Sequence, residues 1–215
     1  MKTIEAWRAE LMPSARRIAA AVLEHLPADG VLVDVGANIG LVTELVLQER
    51  PRASAICFEP CGGYARICAA TATLKGTRVV VYECGLSDVT DWATLYVHGE
   101  NLGWNTLDAT YADQAMKPVI VRLMKLDDFS VRRMDVLKID VESWEGHVLA
   151  GGRQTILQHR PAIVMELSRG SSMEMWRQKV AELEFLFGHG YERIEISPDE
   201  TRDVILLPTK GFPKT

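Results

Sequence analysis

Apolar positions follow two alternating rhythms along this chain. Ile4, Trp7, Leu11, Ile18, Val22 and Leu23 recur at roughly helical spacing over residues 4–25. Pro13 falls inside that stretch and carries no backbone donor. With Ser14 beside it, it predicts a break into two short helices. A turn follows at Pro27-Ala28-Asp29-Gly30, and then Val31-Leu32-Val33-Asp34-Val35 reads as a short buried strand. Residues 40–50 return to helical spacing, with Leu41, Leu45 and Val46 on one face. Ala53–Phe58 is a second strand, 63–74 a second helix of the unit, and Arg78–Glu83 a third strand. Strands alternating with helices predict a Rossmann-like α/β fold, a mostly parallel sheet with helices on both faces.

The alternation lapses at about residues 87–125. Ala93–His98 and Val119–Met124 are strand-like, and a polar loop, Gly99–Thr106, lies between them. Such an excursion from a regular fold is where substrate specificity commonly resides. Alternation resumes with a strand at Val136–Asp140, a helix at about 144–158, a strand at Ala162–Leu167 and a long helix over roughly 172–188. Tyr191–Ile196 and Asp203–Leu207 flank a turn at Ser197-Pro198-Asp199-Glu200, which predicts an antiparallel hairpin at the sheet edge. The division expected is a helical segment, 1–29, followed by a single domain, 30–215, carrying the excursion as an insertion.

Composition narrows the class without deciding it. The chain has 215 residues, 47% of them apolar and 25% charged, which is ordinary for one globular domain. Its net charge of −5 argues against a nucleic-acid partner, which needs a basic face. The N-terminus has acidic residues and no apolar core, so it does not read as a signal peptide. No run of about 18 apolar residues is present, so no membrane partner is expected, and the cytoplasm is the compartment expected. Cys57, Cys61, Cys68 and Cys84 form no C-x-x-C pair and read as buried small hydrophobes.

The chemistry centres on Asp34-Val35-Gly36-Ala37-Asn38-Ile39-Gly40, directly after the first strand and opening a helix. Ligands of open α/β sheets bind outside the carboxyl ends of the strands. Glycines there permit a sharp turn and close approach, and the helix start offers unpaired N–H groups. A dinucleotide site would read G-x-G-x-x-G. The pattern here is D-x-G-x-N-x-G, with an acid two residues ahead of the first glycine. An acid in that place suits a cofactor bearing an ammonium group and no pyrophosphate, such as S-adenosylmethionine.

Phe58-Glu59-Pro60 ends the second strand, and Glu59 lies 25 residues past Asp34. An acid at that position can accept hydrogens from both ribose hydroxyls, in either type of cofactor. Gly85 and Leu86, in the turn Glu83–Asp88, offer small residues that can border an adenine; a plain turn serves equally. Asp140-Val141-Glu142-Ser143-Trp144-Glu145 ends the fourth core strand and clusters carboxylates at the same sheet edge. Methyl transfer needs an aligned acceptor, and a hydroxyl acceptor commonly needs a base. Helix-start acids are the alternative reading of Asp140 and Glu142.

Taken in order, these landmarks resemble the FkbM family of methyltransferases. The matching stretches are Val33–Gly40, Phe58-Glu59-Pro60, Gly85-Leu86-Ser87-Asp88, Leu126-Asp127-Asp128, Leu137–Gly151 and Ile163–Glu166. The resemblance covers about residues 30–196. It implies S-adenosylmethionine as cofactor, held by Asp34, Gly36, Asn38, Gly40 and Glu59, with Ala37, Pro60, Gly85 and Leu86 beside them. It implies that Asp140 and Glu142 face the reaction centre and that Glu166 is nearby. The implied activity is O-methylation of a small molecule such as a sugar or a secondary metabolite. Departures from the family pattern are Ser143, where Gly is preferred, and Gly85 after Cys84, where Ala is usual.

His98, Trp104, Asn105, Trp144 and His147 are further candidates to shape an acceptor pocket, though the tryptophans serve equally as core. Carboxylates at Asp140, Glu142 and Glu166 suit a hard cation such as Mg²⁺, but structural acids explain them as well, and no metal is assigned. Trp176, Val180, Leu183, Leu186 and Phe187 read as packed core or the face of a homodimer. N-methylation of an amine, a NAD-dependent oxidoreductase and a cofactor-binding protein without turnover remain as alternatives.

Overall fold

The protein is described by a computed structural model covering residues 3–74, 78–99, 101–110, 112–167, 172–195 and 203–211. Strands β1 (Val31–Val35), β2 (Ser54–Phe58) and β3 (Arg78–Tyr82) alternate with helices α2 (Leu41–Glu49) and α3 (Gly62–Leu74), after a leading helix α1 (Ile4–His25). The excursion holds β4 (Gly85–Leu86), β5 (Asp91–His98) and β6 (Met116–Met124). Then come β7 (Val136–Ile139), α4 (Glu145–Gly151), α5 (Arg153–His159), β8 (Ala162–Glu166), α6 (Met173–Gly188), β9 (Tyr191–Glu195) and β10 (Asp203–Pro208).

The seven-stranded sheet has the order β3-β2-β1-β7-β8-β10-β9. Its first five strands run parallel, and β10 pairs antiparallel with both β8 and β9. The expected edge hairpin is present, with β10 inside and β9 at the margin; the turn at 197–200 lies outside the described residues. Strand order reverses between β1 and β7, and the crevice at their carboxyl ends is where such a sheet receives ligands. The excursion forms its own three-stranded sheet, β4-β6-β5.

The central strands are buried because helices cover both faces, and the apolar positions divide accordingly. Val33, Val35, Leu137, Ile139, Ile163 and Met165 face the helices α4 to α6, in a cluster with Val148, Ile156 and Leu183. Leu32, Ala55, Cys57, Val136 and Val164 face α1 to α3, in a cluster with Ile18, Val22, Val46 and Cys68. Cys57, Cys68 and Cys84 are buried free thiols, and Cys61 is half-buried.

Two helix expectations need correction. Residues 4–25 form one helix with Pro13 inside it, not two. The missing donor leaves a single carbonyl unbonded, whereas Leu11, Ala15, Ile18 and Val22 pack on both sides of the proline and hold the axis continuous. Conversely, the single helix expected at about 144–158 is two, α4 and α5, which meet at Gly152. In α6, Leu183 and Leu186 are core and Phe187 is exposed. None of the helices among the described residues is long and apolar enough to cross a membrane.

Candidate active site

The site is built on one lattice of backbone and charge at the switch point. In register, Asp34 of β1 lies beside Lys138 of β7. The Lys138 ammonium is buried and contacts Asp34 Oδ1 at 3.0 Å. It donates to the carbonyl oxygens of Gly36 at 2.7 Å and Val35 at 3.3 Å, and lies 3.8 Å from Asp140 Oδ2. Burial works against this ammonium, but Asp34 and Asp140 outweigh it and hold its pKa above the ordinary value. Asp34 also accepts from the Thr43 hydroxyl at 2.6 Å, which ties α2 to the same point.

Above this lattice runs the glycine loop. Gly36 and Ala37 donate their N–H groups to the Phe58 carbonyl, at 3.0 and 3.1 Å. Gly36 has φ +73°, and a Cβ there would fall 1.9 Å from the Asp140 carbonyl oxygen, so only glycine allows the β1 and β7 ends to meet this closely. Asn38, at φ +53°, donates its N–H to Glu59 Oε2 at 2.8 Å, and the Cys61 N–H donates to Glu59 Oε1 at 2.8 Å. Each Glu59 oxygen keeps a lone pair beyond that bond. Burial pushes the Glu59 carboxyl up to about 7, against the pull of those two backbone donors.

A cavity of about 290 Å³ opens at this loop, at the small end of the usual range for small-molecule sites. Gly36, Ala37, Asn38, Glu59, Pro60, Gly85 and Leu86 line one part of it. Asp140, Glu142, Trp144, Asn105 and Glu166 line the remainder. One carboxylate oxygen from each of Asp140, Glu142 and Glu166 falls within 4.8 Å of the other two. Burial pushes Glu142 up to about 9, helped by the negative charges of Asp140 and Glu166. Burial likewise pushes Glu166 up to about 7, with Asp140 again raising it. The turn that carries Glu142 inward is left-handed at two non-glycine residues, Glu142 (φ +51°) and Ser143 (φ +83°). That conformation gives a physical reason for the glycine that the family pattern prefers at position 143.

Five of the expected site residues do not line the cavity. Asp34 is turned into the protein, where its carboxylate pairs with the Lys138 ammonium and accepts from the Thr43 hydroxyl. Gly40 begins α2 at φ +83° and packs against Cys68 of α3, where a Cβ would sit 2.7 Å from the sulfur. His98 and Trp104 pack edge-to-face with ring centres 6.2 Å apart, and Trp104 is half exposed. His147 stacks behind Trp144 at 3.9 Å and bonds Asp88 at 2.9 Å, so the indole separates it from the cavity. Trp144 itself is steadied by a 3.3 Å bond from its Nε1 to the Ser87 hydroxyl.

Other lining residues escaped the sequence reading. Leu11, Ser14, Arg17 and Ile18 of α1 roof the cavity, and Asp203 of β10 closes it through a 2.7 Å ion pair with Arg17. Lys138 escaped that reading as well. A lysine in the middle of the apolar run Val136–Ile139 is the signal that would have disclosed it, since a buried cation demands a partner.

Comparison with known proteins identifies the family. A model of the methyltransferase FkbM domain matches residues 34–193. The chain belongs to the FkbM methyltransferase family. It is 28% identical over 149 residues to the 2-O-methyltransferase NoeI of Sinorhizobium fredii, covering 61% of each chain. It is 27% identical over 208 residues to the AMB antimetabolite synthetase AmbE of Pseudomonas aeruginosa, covering 78% of this chain and 10% of that one. The chain thus spans less than two thirds of these relatives. Among solved structures, methyltransferase FkbM from Methylobacillus flagellatus superposes with a TM-score of 0.56 at 14% identity, over 94% of this chain and 60% of that one. The matched domain is that of methyltransferases and gives no support to the oxidoreductase alternative.

Two outcomes follow for the charged groups. Lys138→Met leaves Asp34 buried without its cation and lowers unfolding free energy by about 3–5 kcal/mol in urea denaturation; adding Asp34→Asn restores most of the loss. For Glu142, the native state holds a proton between its unfolded value of 4.5 and about 9, so ionisation opposes folding as pH rises through that window. Glu142→Gln therefore gains stability over the parent on going from about pH 5 to about pH 8.5, on the order of 2 kcal/mol. Thermal melts across that range that keep a constant difference between the two proteins would contradict this.

Proposed function

We propose that the protein transfers a methyl group from S-adenosylmethionine to a hydroxyl of a small molecule, such as a sugar or a secondary metabolite. The observation that carries this reading is one cavity shared by the glycine loop, the Glu59 carboxylate and the three acids. When bound, S-adenosylmethionine supplies an electrophilic methyl on a sulfonium. The residues fit it. Glu59 has a free lone pair on each oxygen for a ribose diol, and Ala37 and Asn38 border the same opening. Pro60, Gly85 and Leu86 line the same cavity with small and apolar groups, which suit the adenine. Gly36 and Asp34 act through the loop they shape.

Asp140, Glu142 and Glu166 would receive the acceptor. They can orient its hydroxyl by hydrogen bonds, and an ionised member of the group can take the proton that leaves as the new bond forms. Asn105 and Trp144 supply a polar contact and an apolar wall at the same end. Hydroxyl rather than amine as acceptor is supported by this base-rich end and by the relative named as a 2-O-methyltransferase.

Calorimetric titration tests the cofactor assignment. S-adenosylmethionine and S-adenosylhomocysteine should bind at micromolar concentration. Glu59→Ala should weaken both by roughly tenfold or more through loss of the diol contact, about 1.4 kcal/mol or above. The same cofactor with a labelled methyl, offered a panel of sugars and polyols, should label a hydroxyl. Binding of NAD with no response to the other two ligands would refute the reading.

A further inference from the structure

We infer that Asp140, Glu142 and Glu166 share a proton in the free protein and surrender it to solvent when a cationic cofactor enters the cavity, so that binding itself creates the base. This inference rests on the cofactor reading above.

The geometry supplies the reason. Three carboxylate oxygens within 4.8 Å of one another, partly withdrawn from water, cannot all carry charge cheaply; one proton among them relieves the repulsion. The surroundings reinforce this. Facing Glu142 are Asp140, Glu145 and Glu166, against the cation of Lys138. Facing Glu166 are Asp140, Glu145 and Asp203, against Lys179. These cations are already engaged. Lys138 is held by Asp34 and the Gly36 carbonyl, Lys179 pairs with Glu145, and Arg17 of α1 pairs with Asp203. His147 on α4 turns to Asp88, behind the Trp144 indole. The acid group therefore carries an excess of negative charge that only a proton or an incoming cation offsets.

The cavity puts that cation within reach. Asp140 lines it together with the glycine loop, whose Gly36 lies against the Asp140 backbone carbonyl. The carbonyl of Glu142 accepts from the Thr106 hydroxyl at 3.1 Å, which fixes the turn and keeps the acid from swinging out to water. A positive charge in this cavity replaces the electrostatic role of the shared proton. One O–H bond of a carboxyl group breaks, the proton passes to buffer, and the carboxylate that remains can accept a proton from the acceptor hydroxyl. The demethylated product has no sulfonium charge, so the acids recover their proton as it replaces the methyl donor.

The test needs no acceptor. Titration calorimetry at about pH 8, in phosphate and in Tris, gives the protons released from the difference in heat. S-adenosylmethionine should release roughly 0.5–1 proton per site and S-adenosylhomocysteine close to none. The release should shrink at about pH 5.5, where the acids stay protonated in both states. By linkage, affinity for the methylated cofactor should climb with pH between those limits more steeply than that for the product, by up to about tenfold per pH unit; the dependence that Glu59 adds is common to both ligands, because both carry the ribose. Glu142→Gln and, independently, Glu166→Gln should each reduce the release. Equal release with both ligands, or none with the sulfonium, overturns the inference while leaving the cofactor assignment standing. Failure of both ligands to bind overturns the assignment as well.

Discussion

The site depends on one buried cation. Lys138 stands where β7 meets β1, and its ammonium is satisfied by a carboxylate and two backbone carbonyls of the neighbouring strand and loop. A charge in that place is tolerated only because its partners are fixed. In return it fixes them: the Asp34 side chain, the path of the loop at Gly36, and the approach of Asp140 from the other side. The glycine at position 36 is the steric counterpart of the same constraint, because any Cβ would collide with the Asp140 carbonyl. Charge and sterics together lock the ends of the two central strands at the switch point, where the cavity opens.

Around that lock the cavity divides by chemistry. Glu59 faces it from β2, held by two backbone donors. The acids that follow β7 and the one that ends β8 face it from the other half of the sheet, and the turn at Glu142 and Ser143 carries one of them inward at the cost of two left-handed residues. The roof comes from α1 and from the loop of the small sheet, through Leu11, Arg17 and Asn105. The fold therefore places the Glu59 carboxylate and those of Asp140, Glu142 and Glu166 within one enclosure, and covers it with elements that lie outside the βα alternation.

Much of this was legible in the sequence. The alternation of apolar runs and helical spacing located the central strands, because buried parallel strands and amphipathic helices leave different periods. The order of Val33–Gly40, Phe58–Pro60 and Leu137–Gly151 located the sheet edge and the family. What escaped was set by tertiary contact. Pro13 breaks an isolated helix but not one whose apolar face is docked on both sides of it. Asp34 has the spacing of a ligand-binding acid, yet the adjacent Lys138 on a strand a hundred residues away claims it. His147 sits one turn from the acids in sequence, but the stacked Trp144 stands between. The roof from α1 could not be read locally, since nothing within residues 4–25 states which face meets the sheet edge.

In the function proposed above, the glycine loop, Glu59 and the three acids serve one bound molecule. A crystal structure with S-adenosylhomocysteine tests it most directly. In that complex the ribose hydroxyls should lie within hydrogen-bond distance of Glu59, with the sulfur end directed toward Asp140 and Glu142 beneath α1. A ligand seated elsewhere, or one whose ribose lies away from Glu59, would contradict it.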